Sequence, residues 1–353
     1  MILRGTHYEN EIAKALDIPM YSAKPKDQVH GSKAGSRALF QLLNIPCADG
    51  TFSGCSQIED LIQEILSVIK RNPLAEKGVV KLLDGFSGKG NAIVDLSNIQ
   101  NAIALNESSA VLSEIMLHSL KEMEFCCQGR SWADFSAEIS KMGAIFELYV
   151  ANGTSSPSVQ VVVNEDFTIS VLSTHEQILD GQIYEGCAFP ADKSYRTELI
   201  KYGRQVGEFF AANGIIDHFS VEFVCVKEKL YAIEINLRIT GTTHPFMALK
   251  LLTDGKTDQD TGIYYTNAKT EKYYVASDNI SHPTLKNMLP MDIKDIFAAQ
   301  KFHWCSIRQT GVVCHLLGCM AEHGKIGITS IANSPHEAQE QFDQVVAYLT
   351  SLS

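Results

Sequence analysis

The sequence has no excess of positive charge, no long apolar run and no closely spaced pair of cysteines. Lysine and arginine number 30 against 41 aspartates and glutamates, so the net charge is -11. Because a nucleic-acid-binding surface needs clustered basic residues to neutralise phosphates, this balance argues against a nucleic-acid partner. No stretch approaches the roughly 18 apolar residues of a membrane helix, and the first residues lack a signal-peptide pattern. These absences predict a cytoplasmic protein without a membrane partner.

The nine cysteines show no framework spacing and no CxxC pair. An odd number of cysteines in a chain of 353 residues is typical of reduced, mostly buried thiols. One group of candidate zinc ligands lies close together in the sequence, but its thiols fall in apolar, strand-like runs without zinc-ligand spacing, so we expect no zinc site. These candidates are His303, Cys305, Cys314, His315 and Cys319.

What the sequence does contain first is a predicted β-hairpin in the segment 218–238. Two runs with alternating apolar residues, 218–226 and 230–238, flank a predicted three-residue loop, 227–229. A loop of that length places Glu222 directly opposite Glu234. Six polar or charged side chains then share one face: His218, Ser220, Glu222, Glu234, Asn236 and Arg238.

The two glutamates of this face predict a metal site. Carboxylates held across a strand pair repel each other unless a cation lies between them. Oxygen ligands from Glu222, Glu234 and Asn236 suit a hard cation such as Mg²⁺, which also binds substrate phosphates. A solvated sheet face would explain one glutamate, whereas the convergence of these three residues with Arg238 favours the metal site.

A glycine-rich turn between two predicted strands is the second candidate for an anion-binding element. The backbone amides of Gly85, Ser87, Gly88 and Gly90 can turn toward a phosphate. Lys81 lies on the strand that leads into this loop, where its ammonium reaches the same anion. The glycines match neither a Walker loop nor a dinucleotide-binding fingerprint, and a glycine-rich hairpin turn is often only a turn.

Periodicity and capping residues predict several further elements. A helix with Ser32 as its N-cap carries Lys33 in its first turn, and another helix covers 196–212. A strand pair follows in the tail, and the last helix begins after Ser334. Residues 255–275 are polar and rich in turn formers, so we expect a surface excursion there.

The chain resembles the ATP-grasp superfamily of carboxylate ligases in the order of its charged residues. That order is Lys33 in a helix, Lys81 before the glycine loop, Glu147 at a strand end, Glu222, and the segment EINLR. Within the superfamily, the segments GSKAGSR, THEQIL, GCAFPA and EINLRITGTTHP look like the pheganomycin-type peptide ligases. The resemblance covers about residues 30–330. It implies an α/β (α+β) fold with two subdomains that clasp ATP.

The resemblance also implies a domain division. Residues 33–146 would form the lid subdomain, and residues 147–353 the C-terminal subdomain with an extension. Residues 1–32 would be the remnant of an N-terminal α/β domain that such ligases usually carry whole. We therefore expect ATP binding with weak or no ligase activity unless a second copy in a homodimer, or a separate protein, covers that side.

The resemblance assigns roles residue by residue. Lys33 and Lys81 would contact the ATP phosphates beneath the glycine loop, and Mg²⁺ (or Mn²⁺) would bind the three ligands named above. Arg238, together with Lys81, would be catalytic. The adenine edge would be recognised by Glu147 and by the backbone from Leu148 to Val150. The substrate carboxylate would lie near Thr242, Thr243 and His244, with His175 as a further candidate that is equally typical of a structural histidine.

The implied activity is an ATP-dependent carboxylate–amine ligation. The substrates would be a small-molecule carboxylate and an amine, such as amino acids or peptides, and an acyl phosphate would be the intermediate. The alternative is an ATP-binding regulatory or scaffolding relative without turnover.

Overall fold

The structure is a computed structural model that describes residues 5–85, 88–150, 153 and 155–352. Its α-helices are α1 (His7–Leu16), α2 (Lys33–Leu42), α3 (Ile58–Arg71), α4 (Ser97–Ala104), α5 (Ser109–Lys121), α6 (Trp132–Met142), α7 (Arg196–Ala212), α8 (Thr243–Thr253), α9 (Pro290–Ala299), α10 (Met320–His323) and α11 (Pro335–Ser351). Its strands are β1 (Lys77–Leu82), β2 (Asn91–Asp95), β3 (Glu124–Phe125), β4 (Ala144–Leu148), β5 (Ser156–Val163), β6 (Ile169–Asp180), β7 (Ile183–Phe189), β8 (Asp217–Val226), β9 (Lys229–Asn236), β10 (Lys256–Thr257), β11 (Tyr264–Tyr265), β12 (Glu271–Ser281), β13 (Gly311–His315) and β14 (Lys325–Ala332).

The chain divides into two compact units. The first unit comprises residues 1–155, 180–184 and 221–238. The second unit comprises residues 156–179, 185–220 and 239–353. Among the described residues, no helix combines the length and the apolar character that crossing a bilayer requires.

The first unit is built around an antiparallel sheet in the order β3-β2-β1-β4. Helix α3 packs its apolar face against this sheet because isoleucines and leucines recur at helical spacing. The buried side chains of that face are Leu61, Ile62, Ile65, Leu66, Val68 and Ile69. Together with residues from the sheet and from α4, α5 and α6 they form an apolar core of this unit.

Helix α2 begins where the sequence predicted. The Ser32 side chain accepts a hydrogen bond from the Gly35 amide at 3.0 Å, which satisfies a backbone donor that the first helical turn leaves free. One turn further along α2, the Ser36 hydroxyl accepts a hydrogen bond from the Ile235 amide at 2.9 Å. This bond fixes α2 against β9 and so brings Lys33 to the hairpin.

The predicted three-residue hairpin loop is wrong. Strand β8 ends at Val226 and β9 begins at Lys229, so the turn is Lys227–Glu228, with φ of 48° and 65°. Two residues with positive φ are the geometry of the tight turns that join twisted antiparallel strands. Burial along β9 also departs from the predicted alternation, because Ala232 and then Ile235 are buried. The buried positions of β9 shift by one residue between Ala232 and Ile235. This shift turns the later side chains to the opposite face of the strand, as one extra loop residue would have done, so Glu222 and Glu234 still converge.

The second unit contains strands in the order β10-β11-β12-β7-β6-β5, and β14 pairs with both β12 and β13. The predicted tail strand pair and the last helix are confirmed, with Ser334 accepting from the Glu337 amide at 3.1 Å. The predicted surface excursion at 255–275 is confirmed for residues 258–261 and 267–270, which are exposed, and is wrong for the end of the range, where β12 begins and pairs with three strands. Tyr264 and Tyr274 there are 0% and 1% exposed. Local polarity identified the exposed residues of this stretch but not the two buried rings.

Candidate active site

One charge cluster of the first unit is centred on Glu147. Strands β1 and β4 pair so that Val79 lies opposite Glu147. Lys81 is two residues along β1, so its side chain points to the same face and reaches Glu147 diagonally. The Lys81 ammonium forms an ion pair with Glu147 Oε1, and the two side chains are only 6% and 4% exposed.

Arg37 of α2 completes this cluster, and the sequence analysis did not identify it. Its guanidinium donates to Glu147 Oε2 at 2.9 Å, to the Thr51 carbonyl at 2.7 Å and to the Ala48 carbonyl at 2.8 Å. It also lies over the Phe52 ring, 5.0 Å from the centroid. The only sequence signal was an arginine on the apolar side of a predicted helix, which indicates a buried partner. Both oxygens of Glu147 are therefore held by cations.

A second charge cluster is centred on Glu234 in β9. Lys33 forms an ion pair with Glu234 Oε2. The Asn236 amide donates to Glu222 Oε1 at 2.8 Å and to Glu234 Oε1 at 3.3 Å. The Asn236 carbonyl oxygen accepts from Arg238 at 2.8 Å. The predicted face of the hairpin thus brings Glu222, Glu234, Asn236 and Arg238 together, and α2 adds Lys33.

The ionisation of Lys33 and Glu234 is set by their mutual contact. Burial lowers the pKa of Lys33, but Glu234, Glu222 and Glu147 outweigh it, so the pKa of the ammonium is raised. Burial raises the pKa of Glu234, but Lys33, Lys81 and the Asn236 amide outweigh it, so the pKa of the carboxyl is lowered. Both groups are charged at neutral pH.

A cavity that is open to solvent lies against the second cluster. Lys33, Glu234, Asn236 and Arg238 line it, with the start of the glycine loop, Asp84 and Gly85, on another side. Polar donors and carboxylates thus face one space. Lys81 is not part of this lining and acts on it through its charge.

The glycine loop is narrow at its base, and Gly88 in its described part is left-handed. A side chain on Gly85 would come within 3.0 Å of Gly90 Cα, so only glycines allow the two chain ends to meet there. Gly88 has φ of 72°, and a Cβ on it would lie 2.3 Å from the Gln182 carbonyl oxygen. The predicted anion contact of Ser87 lies outside the described residues.

In the predicted adenine-binding segment, two backbone amides already donate hydrogen bonds within the first unit. The Leu148 amide donates to the Asp49 carbonyl at 2.8 Å, and the Tyr149 amide donates to the Lys77 carbonyl at 3.0 Å. Of the residues predicted to recognise adenine, Glu147 is held by its two cations and Leu148 by this bond. Val150 follows directly after them, at the end of the described stretch.

The predicted substrate residues lie in the second unit. Gln160 donates to the Thr242 hydroxyl at 2.7 Å and accepts from the Thr243 hydroxyl at 2.8 Å, which shapes the start of α8. His244 is exposed, and its ring meets that of His315 edge-on, with centroids 4.3 Å apart. Partial burial lowers the pKa of His244. Gln160 was not identified from the sequence, where a glutamine in a strand gives no distinct signal.

His175 is a core residue of the second unit. Its side chain is 0% exposed, and its Nε2 lies 2.5 Å from the Tyr274 hydroxyl. Burial lowers the pKa of the ring from 6.5 to about 3. These contacts favour the structural interpretation of this histidine.

The suspected cysteine and histidine group does not form a zinc cluster in the described part of the chain. There, no three His, Cys, Asp or Glu side chains are arranged to hold a metal ion. All nine cysteines are free thiols.

Comparison with known proteins identifies the family. Residues 26–260 match the sequence model described as IQCH-like, ATP-grasp. This chain is an IQCH-like ATP-grasp protein. Residues 295–345 of this ATP-grasp chain also match the model described as PGM1 C-terminal domain. The predicted superfamily and its mixed α/β fold are confirmed.

The IQCH-like ATP-grasp chain is similar to a known ligase. It is 27% identical over 323 residues to L-propargylglycine--L-glutamate ligase of Streptantibioticus cattleyicolor. The match covers 91% of this chain and 64% of the length of that ligase. It supports the predicted likeness to peptide-forming ligases.

Solved structures show the same fold at low sequence identity. The biotin carboxylase domain of Hydrogenobacter thermophilus 2-oxoglutarate carboxylase, solved with MgADP and bicarbonate, has a TM-score of 0.61 and 14% identity, covering 95% of this chain and 69% of that one. The N5-carboxyaminoimidazole ribonucleotide synthetase of Thermus thermophilus has a TM-score of 0.60 and 16% identity, covering 97% of this chain and 79% of that one.

The donor set of this ATP-grasp chain fits a hard divalent cation. Two carboxylates and an amide carbonyl lie within one another's reach, which is the oxygen set that Mg²⁺ prefers. At present the NH₂ group of Asn236 faces the carboxylates and its oxygen faces Arg238, and Lys33 supplies the positive charge. Ligation by Asn236 would require that amide to rotate.

Proposed function

We propose that this protein is an ATP-dependent carboxylate–amine ligase that forms an amide or peptide bond through an acyl phosphate. The observation that carries the proposal is the cavity lined by Lys33, Glu234, Asn236 and Arg238. Lysines and an arginine next to a carboxylate metal face are what phosphoryl transfer needs, since that reaction depends on positioning and charge stabilisation.

The reaction balances in two steps. A carboxylate oxygen attacks the γ-phosphorus of ATP, the bond to the β,γ-bridging oxygen breaks, and ADP leaves. The amine then attacks the acyl carbon, loses a proton, and expels inorganic phosphate. The first step is required because an unmodified carboxylate has no adequate leaving group.

Each charged residue has a place in this scheme. We assign Lys33 and Lys81 to the phosphates, beneath the loop that includes Gly85, Gly88 and Gly90. We assign Arg238 to charge that develops on the transferred phosphoryl group, because its guanidinium is already directed to the cavity by Asn236. Val150 is our candidate for the adenine edge.

Glu222, Glu234 and Asn236 would hold Mg²⁺, with Mn²⁺ as a substitute. When bound, such an ion neutralises charge on the phosphates of the nucleotide. In the absence of a metal ion, the carboxylates of Glu222 and Glu234 would repel each other. The Lys33 ammonium supplies the positive charge that offsets this repulsion.

We propose amino acids or short peptides as substrates. The support is the name of the similar ligase, which joins two amino acids, and the position of Thr242, Thr243 and His244 directly after Arg238 in the chain. That ligase is longer than this chain, so its substrate pair is a starting point for tests. The identity of the acid and of the amine is left to the experiment.

The test is an ADP-release screen over amino acids and short peptides, offered singly and in pairs, with Mg²⁺. Release that requires both a carboxylate and an amine, with a new amide detected by mass spectrometry, supports a ligase. Tight ATP binding without release under any pair favours the regulatory or scaffolding alternative. Absence of ATP binding contradicts both.

We propose that a second copy, or a separate protein, covers the N-terminal helix. Helix α1 has no buried residue, and Tyr8, Ile12 and Leu16, spaced four apart, are 77%, 58% and 63% exposed. Light scattering tests the homodimer first. We also propose a reducing location such as the cytoplasm, because nine free thiols suit one. Residues 1–32, 33–146 and 147–353 remain our proposed domains.

A further inference from the structure

We propose that Arg37 is a positioning residue for ATP binding, which acts through Glu147 to hold the Lys81 ammonium in place. The inference rests on the proposed function, and it assigns a role to a residue outside the predicted site. Arg37 lies one turn after Lys33 on α2 and is 0% exposed. Removing a guanidinium from water costs free energy, so its burial calls for an explanation.

The contacts of Arg37 make it an anchor. Two of its three bonds go to backbone carbonyls, those of Ala48 and Thr51, which belong to the segment beside β4. The third goes to Glu147 at 2.9 Å. Because a guanidinium is planar and its donors are fixed in direction, the two carbonyls determine where the third donor points. Glu147 is thereby held at one oxygen by the backbone framework.

The second oxygen of Glu147 is the one that holds Lys81. Lysine has a long, flexible side chain, and a single ion pair does not fix a carboxylate that is free to rotate. With Arg37 present, the carboxylate cannot rotate without losing a buried ion pair. Lys81 is then held in one direction before ATP arrives, which lowers the ordering cost of binding.

The charge count supports the same role. Arg37, Lys81 and Glu147 together carry a net charge of one positive unit, all of it buried. Without Arg37, Glu147 would neutralise Lys81 completely. A cluster that keeps a positive charge attracts phosphates, whereas a neutral pair does not. Arg37 thus affects both the direction of Lys81 and the charge that it presents.

A purely structural role is the competing explanation, because removing one partner of a buried ion pair leaves an uncompensated charge and destabilises the fold. The two explanations differ in whether the effect of Arg37 on ATP depends on Lys81. Coupling between two residues is what a double-mutant cycle measures. The variants are Arg37→Met, Arg37→Lys, Lys81→Gln and the double variant Arg37→Met with Lys81→Gln.

A matched control is available in the same unit. Arg71 forms two bonds with Asp49, both of 2.8 Å, but its side chain is 45% exposed. Arg71→Met also removes an arginine–carboxylate ion pair, but one that is far less buried. The ATP affinity of this variant should therefore stay within twofold of wild type. ATP Kd is measured by ligand-observed NMR, which reaches the millimolar range, and the melting temperature is measured for every variant.

We expect Arg37→Met to weaken ATP binding about tenfold in the wild-type background, which is the size of a lost charge-assisted interaction, and less than twofold in Lys81→Gln. Arg37→Lys should fall between, because it keeps the charge and loses the anchoring bonds. If Arg37→Met does not fold, Arg37→Lys is compared across the same two backgrounds. An equal loss in both backgrounds, or no loss in either, overturns the inference. A wild-type chain that binds no ATP overturns the proposed function itself, which the same titration reveals first.

Discussion

Glu147 and Glu234, the central carboxylates of the two charge clusters, are both paired with buried lysines but are held differently. Glu147 has a cation at each oxygen, and one of these, Arg37, is tied to the backbone. Glu234 has one cation, Lys33, and an amide at its other oxygen, and it faces an open cavity. The first carboxylate is therefore fixed, whereas the second can exchange its partners.

The difference indicates how one fold separates support from chemistry. A carboxylate with both of its oxygens bound to buried donors serves as a support for its neighbours. A carboxylate with a replaceable ammonium partner can accept a metal ion in its place. Substitutions around Glu234 should thus change catalysis and metal binding, and substitutions around Glu147 should change nucleotide affinity.

The largest expected effect is that of Glu234→Gln. The substitution keeps the size of the side chain and removes the charge that faces Lys33 and the metal site, so ADP release should fall at least about 100-fold. The chain should still fold, but with a lower melting temperature, because the amide can accept from Asn236 yet turns its NH₂ group toward the Lys33 ammonium. Steady-state kinetics and Mn²⁺ titration measure the effect. Unchanged activity together with unchanged metal affinity would show that the metal site lies elsewhere.

Arg238→Ala should have the next largest effect and act on the rate. If Arg238 stabilises charge only in the transition state, kcat should fall roughly 10- to 100-fold while ATP Kd stays within about threefold. Single-turnover kinetics and equilibrium binding separate the two. Should the melting temperature fall instead, with normal turnover per folded molecule, Arg238 would be a structural partner of the hairpin.

Lys33→Met should have a moderate effect with an unusual sign. Because Lys33 supplies the charge that Glu222 and Glu234 need in the absence of metal, its removal should tighten Mn²⁺ binding without nucleotide by about fivefold. ATP affinity should fall at the same time. Mn²⁺ binding is followed by EPR. Lys14→Met is the matched control, since Lys14 pairs with Glu11 on the surface. Weaker Mn²⁺ binding by Lys33→Met would refute the idea that a metal ion takes the place of the Lys33 ammonium.

At neutral pH the smallest expected effect is that of His175, which acts on the pH dependence of stability below its ordinary pKa. His175 has a pKa of about 3 in the folded chain against 6.5 ordinarily, so its neutral form is favoured by folding. Its contribution is complete above pH 6.5 and is lost as pH falls toward 3, at about 1.4 kcal/mol per pH unit. His175→Phe should reduce the slope of unfolding free energy between pH 6 and 4 by roughly one proton. Denaturant titrations at several pH values measure it, and an unchanged slope would contradict the burial of a neutral ring.

The charged residues of the site were predictable because each has a local signature. Lys33 follows a helix cap, Lys81 precedes a glycine turn, and Glu222, Glu234 and Asn236 share a strand period. Arg37 was not predictable, since its partners Glu147, Thr51 and Ala48 come together only through tertiary packing.

Turn length and sheet position were also beyond local patterns. The Lys227–Glu228 turn needs positive φ at two residues that do not favour it, so surrounding contacts must determine it. The burial of β12 depends on its three partner strands and not on its own composition. Where burial is decided by distant strands, the sequence of one segment carries too little information.

The first unit is assembled from three separate stretches of chain, and this has a consequence for the order of synthesis. Lys33 and Glu234 are 201 residues apart in the chain. A nascent polypeptide that has emerged as far as residue 155 contains Lys33, Lys81 and Glu147, but none of the hairpin carboxylates. The ribosome must therefore deliver much of the second unit before the hairpin can join the first, although the apolar core around α3 in the first unit lies entirely within residues 55–146.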